Sequence, residues 1–399
     1  MNNKNEFRVP WSGRSLKYTQ EEINVVIEAM QNADPLTQGK HQLEFEKTFA
    51  EMMDAPHSYA LSSCTAALEL SAMLCQLKPG DEVILPAHTF AATAIPFART
   101  GAKLVWADVD SETLIVTADT IRPLITPKTK AIILVHLYGL VADMDPIMEL
   151  AAKHKIFVVE DAAQAIGARY KGRPAGSIGD FGCFSFHTHK NITTLGEGGM
   201  ITVKDPKLAK LVPGLRHNGV RPYEGVRDKY WVPAMSDIDF DWDGVWPYNF
   251  CLGEVQCALG TAQLKRLNSI NADRKERADY VKTALKDFPE LVFQKVPRDC
   301  GHTYHLLPAR YDGAKYGKTR DQFIETMAFE YGVKTIVQYY PLYRYPMFEK
   351  AGFGKADCPE TDRFFDNMVS VPFHQWLSRE QLDTIIDALK KTCLSLRGR

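Results

Sequence analysis

Between residues 131 and 164 the chain reads AIILVHLYGLVADMDPIMELAAKHKIFVVEDAAQ. The apolar run Ala131 to His136 is short enough for a buried strand. Met144 to His154 repeats its apolar residues at helical spacing, and Ile156 to Glu160 is apolar again until its last residue. Strand, helix, strand in about 30 residues is the grammar of a parallel sheet. The same rhythm extends upstream. Asp81 to Pro86 reads as a strand, Ala91 to Arg99 as a helix, Lys103 to Ala107 as a strand and Thr117 to Ile125 as a helix. Downstream, Phe181 to Phe186 and Met200 to Val203 read as further buried strands. Ahead of the alternation, Gln20 to Met30, Leu43 to Met53 and Thr65 to Leu77 read as helices. The expectation is an α/β fold: a mostly parallel sheet covered on both faces and joined by right-handed crossovers.

After Pro222 the rhythm stops. Residues 223–248 are aromatic and acidic, with Trp231, Phe240, Trp242 and Trp246 among Asp237, Asp239, Asp241 and Asp243. This predicts a long loop, either an active-site element or a surface excursion over a core edge. A long helix is expected over Gly253 to Asp287. Strands near Leu291 to Val296 and His305 to Ala309, and helices near Arg320 to Tyr331 and Arg379 to Thr392, then predict a smaller C-terminal α+β domain. The expected division is a large domain over residues 1–252, with an N-terminal arm and the loop 223–248, and a small domain over residues 253–399.

At 399 residues two domains are the ordinary expectation, and 45% apolar residues suffice for a large core. Lys plus Arg number 48 against 49 for Asp plus Glu, so no global field points to nucleic acid or an anionic membrane. No apolar run approaches the length of a bilayer span, and Met1 to Val9 lacks the apolar centre of a secretion signal. A cytoplasmic protein is expected. The eight cysteines form no C-x-x-C pair, which argues for buried thiols and against a metal site or disulfide framework.

Four segments carry candidate chemistry. Asp161 follows an apolar strand, and Lys190 follows Phe181 to Phe186, so an acid and an amine emerge on one rim, where ligands of open α/β sheets collect. A lysine in apolar surroundings becomes a better nucleophile, and an aspartate can hold a pyridinium nitrogen protonated. On pattern alone a solvated lysine and a helix-capping aspartate are the commoner reading. Ser62-Ser63-Cys64-Thr65 opens an apolar helix and suits a phosphate, or is an ordinary N-cap. Phe90, after Pro86, can stack on a planar ring or fill a core. Gly196-Glu197-Gly198-Gly199 permits close backbone approach, or is a simple hairpin turn.

Taken in order, these segments resemble the DegT/DnrJ/StrS family of sugar aminotransferases, within the fold-type I pyridoxal-phosphate enzymes. The likeness runs from Leu36-Thr37-Gln38-Gly39 through Gly80-Asp81-Glu82-Val83-Ile84, Thr89-Phe90, His136-Leu137-Tyr138-Gly139, Glu160-Asp161-Ala162-Ala163-Gln164, Lys190-Asn191 and Gly196-Glu197-Gly198-Gly199 to Glu254-Val255-Gln256 and Val371-Pro372. It implies pyridoxal 5'-phosphate as cofactor, bound covalently by Lys190. Asp161 would face the pyridinium nitrogen, Gln164 the ring hydroxyl and Phe90 the ring face. Backbone N–H groups of Cys64 and Thr65, with Ser185, would hold the phosphate. Asn249 would reach the phosphate of a neighbouring subunit, which makes a homodimer the expected assembly.

For the substrate, His189, Arg216, Tyr339 and Tyr343 are the candidates, with Arg216 and Arg221 as carboxylate partners for an amino donor, expected to be glutamate. The family usually has Gly where Cys64 stands, a small residue where His189 stands, and His-Tyr-x-Pro-Leu-His where Gln338 to Tyr343 stands. The first of these departures falls on the phosphate cradle, and the loss of both histidines falls on the substrate side. The resemblance implies transfer of an amino group to a keto group of a nucleotide-linked deoxysugar. A free keto-sugar acid or keto-inositol is the alternative acceptor. A sugar 3-dehydratase would have histidine for Lys190, and a non-enzymatic regulator would lack Lys190 or Asp161.

Overall fold

A computed structural model describes residues 7–220, 240, 242 and 244–398. Most of loop 223–248, including Trp231, Asp237, Asp239, Asp241 and Asp243, lies outside the described residues, as does Arg221.

Seven strands form the main sheet: β1 (Ser58–Leu61), β2 (Glu82–Pro86), β3 (Lys103–Ala107), β4 (Thr129–Val135), β5 (Phe157–Asp161), β8 (Phe181–Ser185) and β9 (Gly199–Val203). The two-residue strands β6 (Arg169–Tyr170) and β7 (Arg173–Pro174) form a separate ribbon. The sheet order is β1-β9-β8-β5-β4-β2-β3. Strands β8, β5, β4, β2 and β3 are mutually parallel, and β9 runs against both of its neighbours, so β1 points the same way as β8. Six carboxyl ends therefore share one rim.

Successive side chains leave a strand on opposite faces, and both faces of this sheet are apolar. Val83, Leu85, Ile133 and Val159 pack with the helix Cys64–Leu74, while Ile84, Ile132, Leu134 and Val158 pack with the helix Met144–His154. That two-sided cover is why the strands read as continuous apolar runs.

Prolines explain two departures from the expected elements. The helix expected over Thr117 to Ile125 is the α-turn Ala118–Ile121 followed by a 3₁₀ turn Arg122–Leu124, because Pro123 cannot donate to a continuing helix. Ala91 to Arg99 likewise divides into a 3₁₀ turn Ala91–Thr93 and a short helix Ile95–Arg99 with Pro96 in its first turn. Strand β1 was not expected. It is four residues long and carries little pattern of its own.

The helix Glu254–Ala284 joins two cores. Cys257, Leu264, Leu267 and Ile270 pack beneath the main sheet, and Ala278 and Val281 enter the core of the antiparallel sheet β10 (Leu291–Phe293), β11 (Pro308–Tyr311), β12 (Met368–Ser370). The first residue of that helix also fastens a distant one. The Glu254 carboxylate accepts the N–H groups of Gly39 and His41 at 2.8 Å and of Gln42 at 3.2 Å, satisfying the orphan donors at the start of the helix Lys40–Met52. No helix among the described residues is long and apolar enough to cross a membrane.

Candidate active site

The rim of strand ends opens into a cleft of about 470 Å³. Asp161 is the last residue of β5, 5% exposed. Its Oδ2 accepts the Thr93 hydroxyl at 2.7 Å and its Oδ1 the Ala163 N–H at 3.1 Å. Burial pushes the carboxyl up, while Thr93, Ala163 and the Lys190 ammonium pull it back. Ser185 ends β8, the strand beside β5, and Lys190 follows five residues later. Burial lowers the Lys190 ammonium, opposed by Asp161 and Cys64. An amine so placed is more often neutral at ordinary pH than a lysine in water.

Gln164 stands behind this pair. Its amide oxygen accepts the Tyr138 N–H at 2.8 Å, which leaves the nitrogen as the group able to donate into the cleft. Tyr138 is held with a positive φ of 61°, and its hydroxyl donates to the Gln338 carbonyl at 2.8 Å and meets His88 Nε2 at 2.7 Å. With that hydroxyl hydrogen spent on Gln338, the imidazole must be the donor, and burial holds His88 down at about 3 and so neutral. Tyr339 lies parallel to Tyr138 at 6.3 Å and edge-on to Phe90 at 6.0 Å. Phe90 is 60% exposed, so its ring face is open to a ligand and fills no core.

Ser63 caps the helix Cys64–Leu74 through the Ala66 N–H at 3.1 Å. The N–H groups of Cys64 and Thr65 find no protein acceptor among the described residues. They line the cleft with Ser185. The hairpin and close-approach readings of the glycine segment are both visible: Gly196 has a positive φ of 114°, whereas a Cβ on Gly199 would overlap the Ser63–Cys64 peptide, so only glycine lets β9 pass beneath that helix start.

Two substrate candidates are corrected. Arg216 does not reach the cleft. It is 6% exposed, paired with Glu46 and bonded to the Ala60 carbonyl at 2.9 Å, so its charge is spent tying the chain before β1 to the segment before the long loop. Tyr343 is packed in the core of the main sheet and gives its hydroxyl to Asp362. The family's histidine at that position therefore has no counterpart in the cleft. His189 and Tyr339 do line the cleft. His189 stacks on His187 at 5.3 Å, and burial lowers it, with help from His187 and Lys190. Asn249 is exposed and outside the cleft of its own chain.

Thr93, His305 and His374 line the cleft and escaped the sequence reading. Thr93 follows Phe90 by one turn, the single local hint. His305 was expected in a strand. The strand begins three residues later, because Arg274 holds the Tyr304 and His305 carbonyls at 2.9 and 2.7 Å and turns that segment toward the cleft.

An acid closing one parallel strand, a lysine beyond the next and an open helix N-terminus on the same rim are the arrangement that suits a pyridoxal-phosphate-dependent enzyme of fold type I. The chain belongs to the DegT/DnrJ/EryC1/StrS aminotransferase family, whose model matches residues 17–390. It is 36% identical over 372 residues to the spore coat polysaccharide biosynthesis protein SpsC of Bacillus subtilis, covering 93% of this chain and 94% of that one. It is 34% identical over 369 residues to the GDP-perosamine synthase of Caulobacter vibrioides, covering 92% and 94%. An aminotransferase structure from Psychrobacter cryohalolentis superposes with a TM-score of 0.87 at 29% identity, covering 97% of this chain and 100% of that one.

Proposed function

We propose that this protein transfers an amino group from glutamate to the keto group of a nucleotide-linked deoxysugar, with pyridoxal 5'-phosphate held in the cleft. The observation that carries the reading is the meeting of Lys190 and Asp161 in one cleft from neighbouring strand ends, close enough to shift each other's protonation. The cofactor, when bound, supplies an electron sink for the carbanion formed on the amino donor.

The residues fit that group. The free N–H groups of Cys64 and Thr65, the positive end of their helix and the Ser185 hydroxyl suit its phosphate. Asp161 suits a protonated ring nitrogen, Gln164 the ring hydroxyl and Phe90 the ring face. Lys190 holds the cofactor between turnovers and then, as a neutral amine, carries the proton at the substrate carbon. Thr93 orients the Asp161 carboxylate. The nucleotide sugar is supported by a relative's name, GDP-perosamine synthase, and glutamate is proposed from the family resemblance alone.

The substrate half is testable directly. The pyridoxamine form, offered several keto nucleotide sugars and several free keto-polyols, should regain the absorbance of the lysine-bound cofactor with a nucleotide sugar. Recovery with un-nucleotidylated acceptors alone would overturn the sugar-nucleotide reading and leave aminotransfer standing.

The working unit we propose is a symmetric dimer. Asn249 can serve a phosphate only in a neighbour's cleft. Exposed apolar side chains stand near it in sequence and on or between the first two helices: Trp246 is 86% exposed, and Met30, Leu36 and Leu43 are 60–65% exposed. Apolar exposure of that kind marks an interface. Sedimentation should show a dimer at assay concentrations, and Asn249→Ala should weaken cofactor retention about tenfold, the worth of one charge-assisted hydrogen bond. A fully active monomer would refute the shared site.

A further inference from the structure

The amino donor and the sugar acceptor proposed above both carry oxyanions, and with Arg216 buried against Glu46 neither has a visible cationic partner in the main-sheet residues. The cleft's acidic and basic side chains other than histidine, among the described residues, are Arg14, Asp161, Lys190 and Glu197. Lys190 and Asp161 face each other, and Glu197 is an acid. Three of the four cleft histidines do not make up the deficit, and the fourth, His187, stands 3.8 Å from the Glu197 carboxylate. His305 is held well below its ordinary value by burial and by Lys190, His374 is held at about 4 by burial and by Arg274, and His189 is lowered as well. Arg14 is left. It is exposed, lines the cleft and has no carboxylate partner among the described residues.

Arg14 also stands on a segment that is tied down at many points. The N-terminal arm first joins the small-sheet core, where Val9 N–H bonds the Gly332 carbonyl at 3.1 Å and Val9 carbonyl accepts Lys334 N–H at 3.0 Å. It then crosses to the lysine loop. Ser15 N–H bonds the Thr188 carbonyl at 3.2 Å, and the Ser15 hydroxyl donates to the carbonyl of Lys190 itself. Gln375 N–H bonds the Ser15 carbonyl at 3.2 Å, and Trp376 Nε1 approaches the Arg14 carbonyl at 3.4 Å. Lys17 lies over the Trp376 ring at 4.8 Å. A guanidinium carried by so pinned a backbone loses little further entropy on binding a ligand.

We propose that Arg14 is the anion-recognition residue of the cleft, its guanidinium receiving a substrate carboxylate or phosphate. A guanidinium presents two parallel N–H donors to either group, a geometry lysine lacks. The proposal rests on the aminotransferase reading for its substrates, and its test separates the two. Arg14 is exposed, so its replacement leaves the core intact.

The experiment measures equilibrium binding to cofactor-loaded wild type, Arg14→Ala and Arg14→Lys, by calorimetry, with four probes: L-glutamate, 2-oxoglutarate, GDP and inorganic pyrophosphate. Arg14→Ala is expected to weaken at least one probe that wild type binds about 10- to 100-fold, with Arg14→Lys between. Loss confined to glutamate and 2-oxoglutarate assigns the site to the donor carboxylate. Loss confined to GDP and pyrophosphate assigns it to the acceptor phosphates. If wild type binds pyrophosphate but neither glutamate nor GDP, the substrate reading fails and pyrophosphate alone judges Arg14. Unchanged affinities in Arg14→Ala for every probe that wild type binds, or binding of none by wild type, overturn the proposal.

Discussion

Purified Lys190→Ala protein should fold, bind no cofactor covalently and lose transamination together with the visible absorbance of the lysine-bound cofactor. Folding should survive because, among the described residues, the ammonium makes no hydrogen bond. The loop is held by backbone groups, the Lys190 N–H to the His187 carbonyl at 2.8 Å and the Lys190 carbonyl to Ser15. Activity should not survive, because the same amine is the covalent anchor and the proton carrier. Loss of a positioned acid–base group alone typically costs 10²–10⁴-fold, and the anchor is lost with it, so turnover should fall by about 10³-fold or more. Circular dichroism checks the fold and single-turnover absorbance checks the chemistry. A Lys190→Ala enzyme that still transaminates would end the assignment.

Asp161→Asn should keep the fold and slow the proton-transfer step by about 10²-fold or more, the size of a lost electrostatic contact in a water-poor site. The strand around Asp161 is held by its backbone: the His136 N–H reaches the Asp161 carbonyl at 3.1 Å, and the Ala162 N–H reaches Cys183 at 2.9 Å. What changes is charge. Burial raises the Asp161 carboxyl, and a protonated ring nitrogen beside it would favour the ionised form. Cofactor affinity of the wild type should therefore weaken as pH falls far enough to protonate Asp161, and Asp161→Asn should flatten that dependence. Turnover near normal in the variant, or an unchanged pH profile of cofactor binding, would contradict the pairing.

The alternation of apolar runs and amphipathic helices was legible in the chain because both faces of a parallel sheet must be apolar, and that requirement leaves a periodic mark. It sufficed for the α/β architecture and for placing Asp161 and Lys190 beyond strand ends on one rim. Residues whose meaning depends on a local pattern were legible too: Cys64 and Thr65 opening a helix, Phe90 following a strand, and Gly199 where backbone must pass backbone.

What remained closed were contacts made across the chain, where no period or spacing connects the partners. Arg216 looked available as a carboxylate ligand, and only packing shows it committed to Glu46. Tyr343 looked like part of an aromatic rim, and only packing turns it into the core beside Asp362. His305 came out of its expected strand because Arg274 takes two carbonyls at the bend. Ser15 meets Lys190 across 175 residues, and Arg14 enters the cleft beside it. The sequence by itself determined the alternating strands and helices and the strand ends beyond which Asp161 and Lys190 emerge, since burial periodicity is local. Tertiary structure alone decided which charges are already neutralised by a neighbour and which are left for a ligand, since ion pairing is set by distance in space, which the order of residues does not encode.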